Sequence, residues 1–354
     1  MSKALIAMSG GIDSAVAALL TKNKGFECIG ATLRLVCSSV FGLPAENDEK
    51  VENDIADAKK VAERLDMVHK AYDAVDKFKK CVADYFVTAY EKGLTPNPCV
   101  VCNKLIKFGL LLDIAKENEC DYIVTGHYAR IEEKDGRFLL KKAVDETKDQ
   151  SYFLYTLSQY QLAHSLFPLG EMTKEEARLL AEENGFVNAR KRDSQDICFV
   201  PDGEYVNIIE HLTGKSYPEG EFISLDGKCL GTHKGIIRYT VGQRKGLGIS
   251  LSKPAYVVEK NVTDNTVVLG DNEDLFTDTL RTESFNWIMF DTPQSKIRAK
   301  VKIRYNHKAQ WATVTALNNG GVEIKFDEPQ RAIAKGQSAV AYDGEYVIGG
   351  GIII

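Results

Sequence analysis

In the first half of the chain, short apolar runs alternate with amphipathic stretches. ALIAM (4–8) has the length of a strand, and SGGIDS leads from it into AVAALLTKNKG, which predicts a helix ending at Gly25. FECIGATLRL (26–35) reads as the next strand. ENDIADAKKVAERLD (52–66) places Ile55, Ala58, Val61, Ala62 and Leu65 on one helical face. MVHKAYDA predicts a further strand, FKKCVADYFVTAYEKG (78–93) and IKFGLLLDIAKENEC (106–120) predict helices, and DYIVTGHYA (121–129) predicts a buried strand. Such alternation implies a doubly wound parallel sheet with ligands at the strand C-termini.

After about residue 200 the period changes. AYVVEKNVTDNTVVLG, KIRAKVKIRY, WATVTALNNGGVEIKF and QSAVAYDGEYVIGGGII are short alternating segments broken by turn residues, which predict hairpins. The expected organisation is an α/β domain over 1–204, a small α/β linker domain over 205–274, and an antiparallel β-barrel over 275–354.

Composition adds exclusions. Among 354 residues, 44% are apolar and 27% charged, with no run of membrane-spanning length and an N-terminus too short and glycine-rich for a secretory signal. These features predict a cytoplasmic chain whose eight cysteines are reduced thiols. A net charge of −5 rules out a polycation, so any nucleic-acid surface must be a local patch. KIRAKVKIR (296–304) offers one, with Lys296, Arg298, Lys300, Lys302 and Arg304 on one strand face and Ile297, Ala299, Val301 and Ile303 on the other. Cations spaced roughly 6.6 Å apart along a strand suit a phosphate backbone. A solvated outer barrel face explains the same pattern equally well. ARKR (189–192) and RKGLGISLSK (244–253) add further loop cations.

Two stretches carry candidate chemistry. In SGGIDS, Gly10 and Gly11 allow a tight turn whose N–H groups, with the following helix N-terminus, point at an anion. Ser9 and Ser14 add hydroxyls, and Asp13 is placed to hold Mg2+ against phosphates. The loop lacks the GK[ST] ending of a Walker A motif. In NPCVVCN (97–103), Cys99 and Cys102 are expected in a loop between helices, with Cys198 of SQDICFVPDG at another element boundary. A structural zinc site needs four ligands, and neither a second CxxC nor an HxxxH lies nearby. A thioredoxin-like CxxC opens a helix after a strand, which the preceding Pro-Asn-Pro does not suggest. Cys28, Cys81, Cys120 and Cys229 read as packing or surface residues, and Cys37 stays without assignment.

With PNPCVVCNKLIKFG, VTGHYAR, KDQSYFLY, SQDICFVPDG, GTHKGIIRYTVGQRKGLGI, IRYNH and GQSAVAYDGEYVIGGG in order, the chain resembles the bacterial tRNA-specific 2-thiouridylases, the MnmA/TrmU family, over essentially its whole length. The resemblance implies an adenine-nucleotide α-hydrolase-like N-terminal domain of the ATP-pyrophosphatase kind. It implies ATP with Mg2+, adenylation of the C2 oxygen of the wobble uridine (position 34) of tRNA, and sulfur delivered as a persulfide on Cys198 with Cys102 as nucleophile. A disulfide between these two would follow, reopened by an external reductant. By the same carry-over Ala7, Met8, Ser9, Gly10, Gly11, Ile12, Asp13 and Ser14 bind ATP, and Leu33 and Gly126 hold its adenosine end. Asn97, Pro98 and Cys99 contact the target base, and His127, Lys148, Asp149, Gln150, Arg304, Tyr305 and Gln337 contact tRNA. Expected partners are tRNA and a persulfide-carrying relay protein or cysteine desulfurase, with the chain itself a monomer. Leu33 replaces the family's usual methionine, the following RLVC lacks its usual tryptophan, and Cys99 stands where many relatives have aspartate. The alternative for the thiols is an iron–sulfur cluster on Cys99, Cys102 and Cys198. Two other function classes fit parts of the sequence: a small-molecule ATP pyrophosphatase, which needs neither Cys102 nor Cys198, and a non-catalytic RNA-binding module, which leaves SGGIDS unused.

Overall fold

The computed structural model describes residues 2–188, 197–251, 253–292 and 294–354. A parallel sheet runs in the order Val68–Asp73, Glu27–Arg34, Lys3–Ala7, Tyr122–Val124, Ser165–Leu166. Its central strand is apolar from Ala4 to Ala7 because both its faces are covered. Ala4 and Ile6 pack under the helices Ile12–Asn23 and Glu46–Arg64, through Ala15, Val16, Ala58, Val61 and Ala62. Leu5 faces the opposite layer, which includes Leu111, Leu112 and Ala115 of the helix Leu111–Glu117.

The stretch 121–129 is not one strand. Tyr122–Val124 stays in the parallel sheet, residues 125–128 leave it, and Ala129–Lys134 pairs with Arg137–Lys142 as a hairpin of a different sheet. The break falls at Gly126, which lies so close to the phosphate loop that a Cβ there would sit 2.7 Å from the Asp13 carbonyl carbon.

The middle segment is a helix, Tyr205–Thr213, followed by a sheet in the order Tyr256–Asn261, Thr266–Gly270, Gly220–Ser224, Cys229–His233. Its Phe222, Val257 and Leu269 share one core with Phe78, Phe86, Tyr90 and Phe199. The C-terminal sheet is antiparallel: Phe276–Arg281, Val322–Arg331, Gln310–Ala316, Lys296–Lys302, Ser338–Asp343, Tyr346–Ile352. It closes on itself. The chain beyond Arg281 crosses to the last strand through a Thr282–Ile353 bridge and the pairing of Asn286–Trp287 with Gly350 and Gly349. The same last strand receives the hairpin of the N-terminal domain, with Tyr346 opposite Lys141. Among the described residues no helix is long and apolar enough to cross a membrane.

Candidate active site

The phosphate loop lies at the C-terminal end of the central strand. Gly10 has φ +72°, and a Cβ there would run into the Asp54 backbone. Gly11, in extended backbone, precedes the first turn of Ile12–Asn23. The Ser14 hydroxyl donates to the Gly11 carbonyl at 2.9 Å and accepts the Ser9 amide at 3.2 Å. These bonds hold an arch whose remaining amides, with the helix N-terminus, form a cradle for an anion. Ala7 is half-buried, and Met8 and Ile12 are core residues, so their side chains anchor the loop while their backbone shapes it. Leu33 is half-buried near the end of the neighbouring strand, packed against the two other cores to which this domain contributes. Gly10 and Gly126 pack so closely on Asp54 and Asp13 that a side chain at either position would displace the loop, and the arch they permit fits a nucleotide polyphosphate.

Asp13 is the loop's charged member. Its carboxylate accepts from Lys174 Nζ at 2.7 and 2.8 Å and from the Tyr128 hydroxyl at 2.9 Å. Asn188 closes the far side, its amide donating to the Gly10 carbonyl at 3.1 Å. The sequence reading missed Lys174. The signal was present: a lysine opens TKEEARLLAEE, a position where the helix dipole disfavours a cation.

The CxxC is not in a loop. Pro98–Cys102 is helical, with Pro98 in the first turn, where its fixed φ and missing N–H cost nothing. The helix continues through a π-helical stretch, Asn103–Leu110, into Leu111–Glu117. The CxxC therefore does open a helix, but the element before it is another helix, Asp84–Glu91, rather than a strand. Val100 belongs to the core that also holds Leu5 and Ala31 of the parallel sheet, with Ala7 and Leu33 packed against that core. Cys102 is buried in the same core as Phe199 and Val200, the residues that follow Cys198.

The three thiols influence one another. Although Cys198 itself is exposed, crowding by surrounding protein, then Cys102 and Cys99, pushes its thiol up to about 12. Burial raises Cys102 to about 11 and also raises Cys99. Lys107 pulls all three back down. It follows Cys102 by five residues, and i→i+5 hydrogen bonding in the π stretch brings residues at that spacing together. Among the described residues no group of three His, Cys, Asp or Glu side chains is placed to hold a metal.

The remaining candidates divide by environment. Asn97 is half-buried just before the helix, and Pro98 is buried. Gln337 reaches from the barrel to donate to the Thr95 carbonyl at 2.9 Å, and the Thr95 amide donates back to the Lys335 carbonyl at 2.8 Å. Gln337 thus clamps the turn that presents Asn97, Pro98 and Cys99. His127 is buried between Phe108 and Phe167, bonded to the Thr125 hydroxyl at 2.7 Å, and burial holds its pKa well below the ordinary histidine value. It is a neutral ring. Asp149 is buried, and its carboxylate accepts from the Ala143 and Ser151 amides and the Ser151 hydroxyl. Gln150 pairs with the Tyr128 backbone in both directions. These two shape the loop that carries Lys148.

The strand of alternating cations ends at Lys302, so Arg304 leaves the comb. Its half-buried guanidinium donates to the Ala332 carbonyl. Tyr305 lies against Phe153, ring centroids 4.4 Å apart. Arg298 is engaged by Asp327 at 2.7 Å through both of its terminal nitrogens. Lys300 and Lys302 instead stand close enough to Lys142, on the N-terminal domain's hairpin, to lower its pKa, after the larger effect of burial. A composite patch of Lys142, Lys300 and Lys302, with the carboxylates of Asp149 and Glu146 also near, thus lies where the barrel meets the N-terminal hairpin. The ARKR run at 189–192 lies outside the described residues.

Family models match the chain in three consecutive parts: a tRNA methyl transferase HUP domain over residues 2–202, a PRC-barrel domain over 207–271, and an aminomethyltransferase beta-barrel domain over 277–353. Proteins called tRNA-specific 2-thiouridylase MnmA are similar over full length. That of Treponema denticola is 46% identical, covering 99% of this chain and 97% of its own. Those of Clostridioides difficile and Clostridium acetobutylicum are 45% and 44% identical, with 99% of this chain and 98% and 99% of theirs covered.

Proposed function

The chain belongs to the tRNA-specific 2-thiouridylase family, and from that premise we propose that it replaces the C2 oxygen of a tRNA wobble uridine with sulfur at the expense of ATP. The observation that supports the proposal is that Cys198 lies near enough to Cys102 and Cys99 to feel both thiols, while the CxxC helix shares a core with the parallel sheet.

A urea-like carbonyl is a poor electrophile with a poor leaving oxygen. Attack of the uridine C2 oxygen on the α-phosphorus of ATP expels pyrophosphate and leaves C2 joined to AMP through that oxygen. The cradle of Ser9 to Ser14 holds the polyphosphate, and Mg2+ bound with ATP would supply charge neutralisation beside Asp13. Sulfur arrives from a persulfide donor as the outer sulfur of a Cys198 persulfide. That sulfur attacks C2, AMP leaves, and the base is tethered through C2–S–S–Cys198. The Cys102 thiolate attacks Cys198 Sγ, closing a Cys102–Cys198 disulfide and releasing the thiocarbonyl base. An external dithiol reduces the disulfide. Cys99 borders the base pocket as a neutral thiol, since burial raises its pKa, so it does not replace the ionised carboxylate common at this position. Lys142, Lys300 and Lys302 receive the tRNA backbone.

The test separates activation from sulfur transfer. Cys102→Ser and Cys198→Ser should each abolish thiouridine formation, read by mass spectrometry of digested tRNA, yet retain tRNA-dependent release of pyrophosphate from ATP. Thiouridine at the wild-type rate from either variant would overturn its assigned role.

A further inference from the structure

Lys174 is 6% exposed, and a lysine that deep needs an anion beside it. Its anion, Asp13, lies nearer the surface: the side chains are 8% and 34% exposed. The pair is therefore asymmetric, with the cation behind and the carboxylate at the rim of the cradle.

Local structure does not account for the lysine. It is the first residue of Lys174–Glu183, where the helix dipole opposes a positive charge. That helix already has its N-terminal amide bonds satisfied by a capping box between Thr173 and Glu176. Asp145 receives the Lys174 backbone amide at 3.0 Å, which fixes the helix start and aims the side chain at the loop. Among the described residues, Lys174 is the one lysine or arginine that the structure places against a side chain of SGGIDS. A polyphosphate entering the cradle brings several negative charges next to Asp13, and the site needs a cation that can turn toward them.

We propose that Lys174 is a phosphate-binding residue of the nucleotide site, held on Asp13 while the cradle is empty and shared with the β- and γ-phosphate oxygens of ATP when it is filled. The proposal rests on the ATP-dependent reading above. Tyr128, whose hydroxyl bonds Asp13 and whose ring lies 5.9 Å from Lys174 Nζ, keeps the carboxylate oriented during the exchange.

The experiment compares ATP, pyrophosphate and AMP binding by calorimetry in the full-length chain and in Lys174→Met, with and without Mg2+. Lys174→Met should weaken ATP and pyrophosphate about tenfold to a hundredfold, the loss expected for one charge-assisted hydrogen bond, and leave AMP within about twofold. Lys174→Arg should recover part of the loss. Should Lys174→Met unfold because Asp13 is left unpaired, the Asp13→Asn/Lys174→Met double variant carries the comparison against Asp13→Asn alone. Unchanged pyrophosphate affinity, or an equal loss of AMP, would overturn the proposal and return Lys174 to a structural ion pair. Failure of the unmodified protein to bind ATP at all would instead sink the ATP reading.

Discussion

Cys102 should behave as a suppressed thiol in the free protein. Burial moves it from 9.0 to about 11, which lowers its thiolate fraction about a hundredfold near neutral pH. The pull of Lys107 acts the other way and is already included in that balance. Since only the thiolate alkylates, the rate of iodoacetamide labelling at Cys102, followed by mass spectrometry of its peptide, should rise about tenfold per pH unit from pH 7 to 10 without levelling off. Lys107→Gln should lower that rate throughout the range, by removing the one influence that favours the thiolate. At reagent concentrations low enough that labelling stays first order in iodoacetamide, slow access to a buried sulfur scales the whole curve but does not bend it, so the shape reports the ionisation. A plateau with its midpoint at or below pH 9 would refute the reasoning. Under the proposed mechanism, Cys102 would attack only after the adenylated base or a loaded Cys198 had changed its surroundings, which would protect the thiol from idle oxidation.

Two further outcomes follow from the geometry. Gly126→Ala would place a Cβ 2.8 Å from that of Asp13, so ATP affinity should fall more than tenfold while tRNA affinity, measured by filter binding, holds; undiminished ATP binding would deny the loop its tight seat. Changing Lys142, Lys300 and Lys302 together to Gln should flatten the log–log salt dependence of tRNA binding by about 0.7 to 0.9 per lost contact and spare ATP affinity; an unchanged slope would return the patch to a solvated face.

How much of this could be read beforehand depends on sequence distance. The strand, turn and helix around SGGIDS were legible because they are contiguous, and the buried strand betrayed itself by the apolar run from Ala4 to Ala7. The helical setting of Cys99 and Cys102 was missed because Pro-Asn-Pro reads as a loop, while Pro98 in fact starts a helix. The inward turn of Arg304 was missed because alternation continues in the sequence past the point where pairing ends at Lys302. The composite patch could not be seen at all. Lys142 and Lys300 become neighbours only through a hairpin whose sheet partner, Tyr346, is some two hundred residues away.

That shared hairpin also decides what kind of unit the chain is. Glu345 ties to Arg130 and Lys141 at 2.6 and 3.0 Å, and Asn286 donates to the Tyr155 and Leu157 carbonyls. The hydroxyls of Tyr152 and Tyr155, both buried, each find a partner at Ser338. The barrel is thus not a module on a tether. Excising it would strip the N-terminal domain of hydrogen-bond partners and leave the hairpin strand Arg137–Lys142, which pairs with the last strand, as a naked edge ready to recruit another chain. The two should melt in one transition, and a nascent chain would have to wait for its final residues before its catalytic half could finish folding.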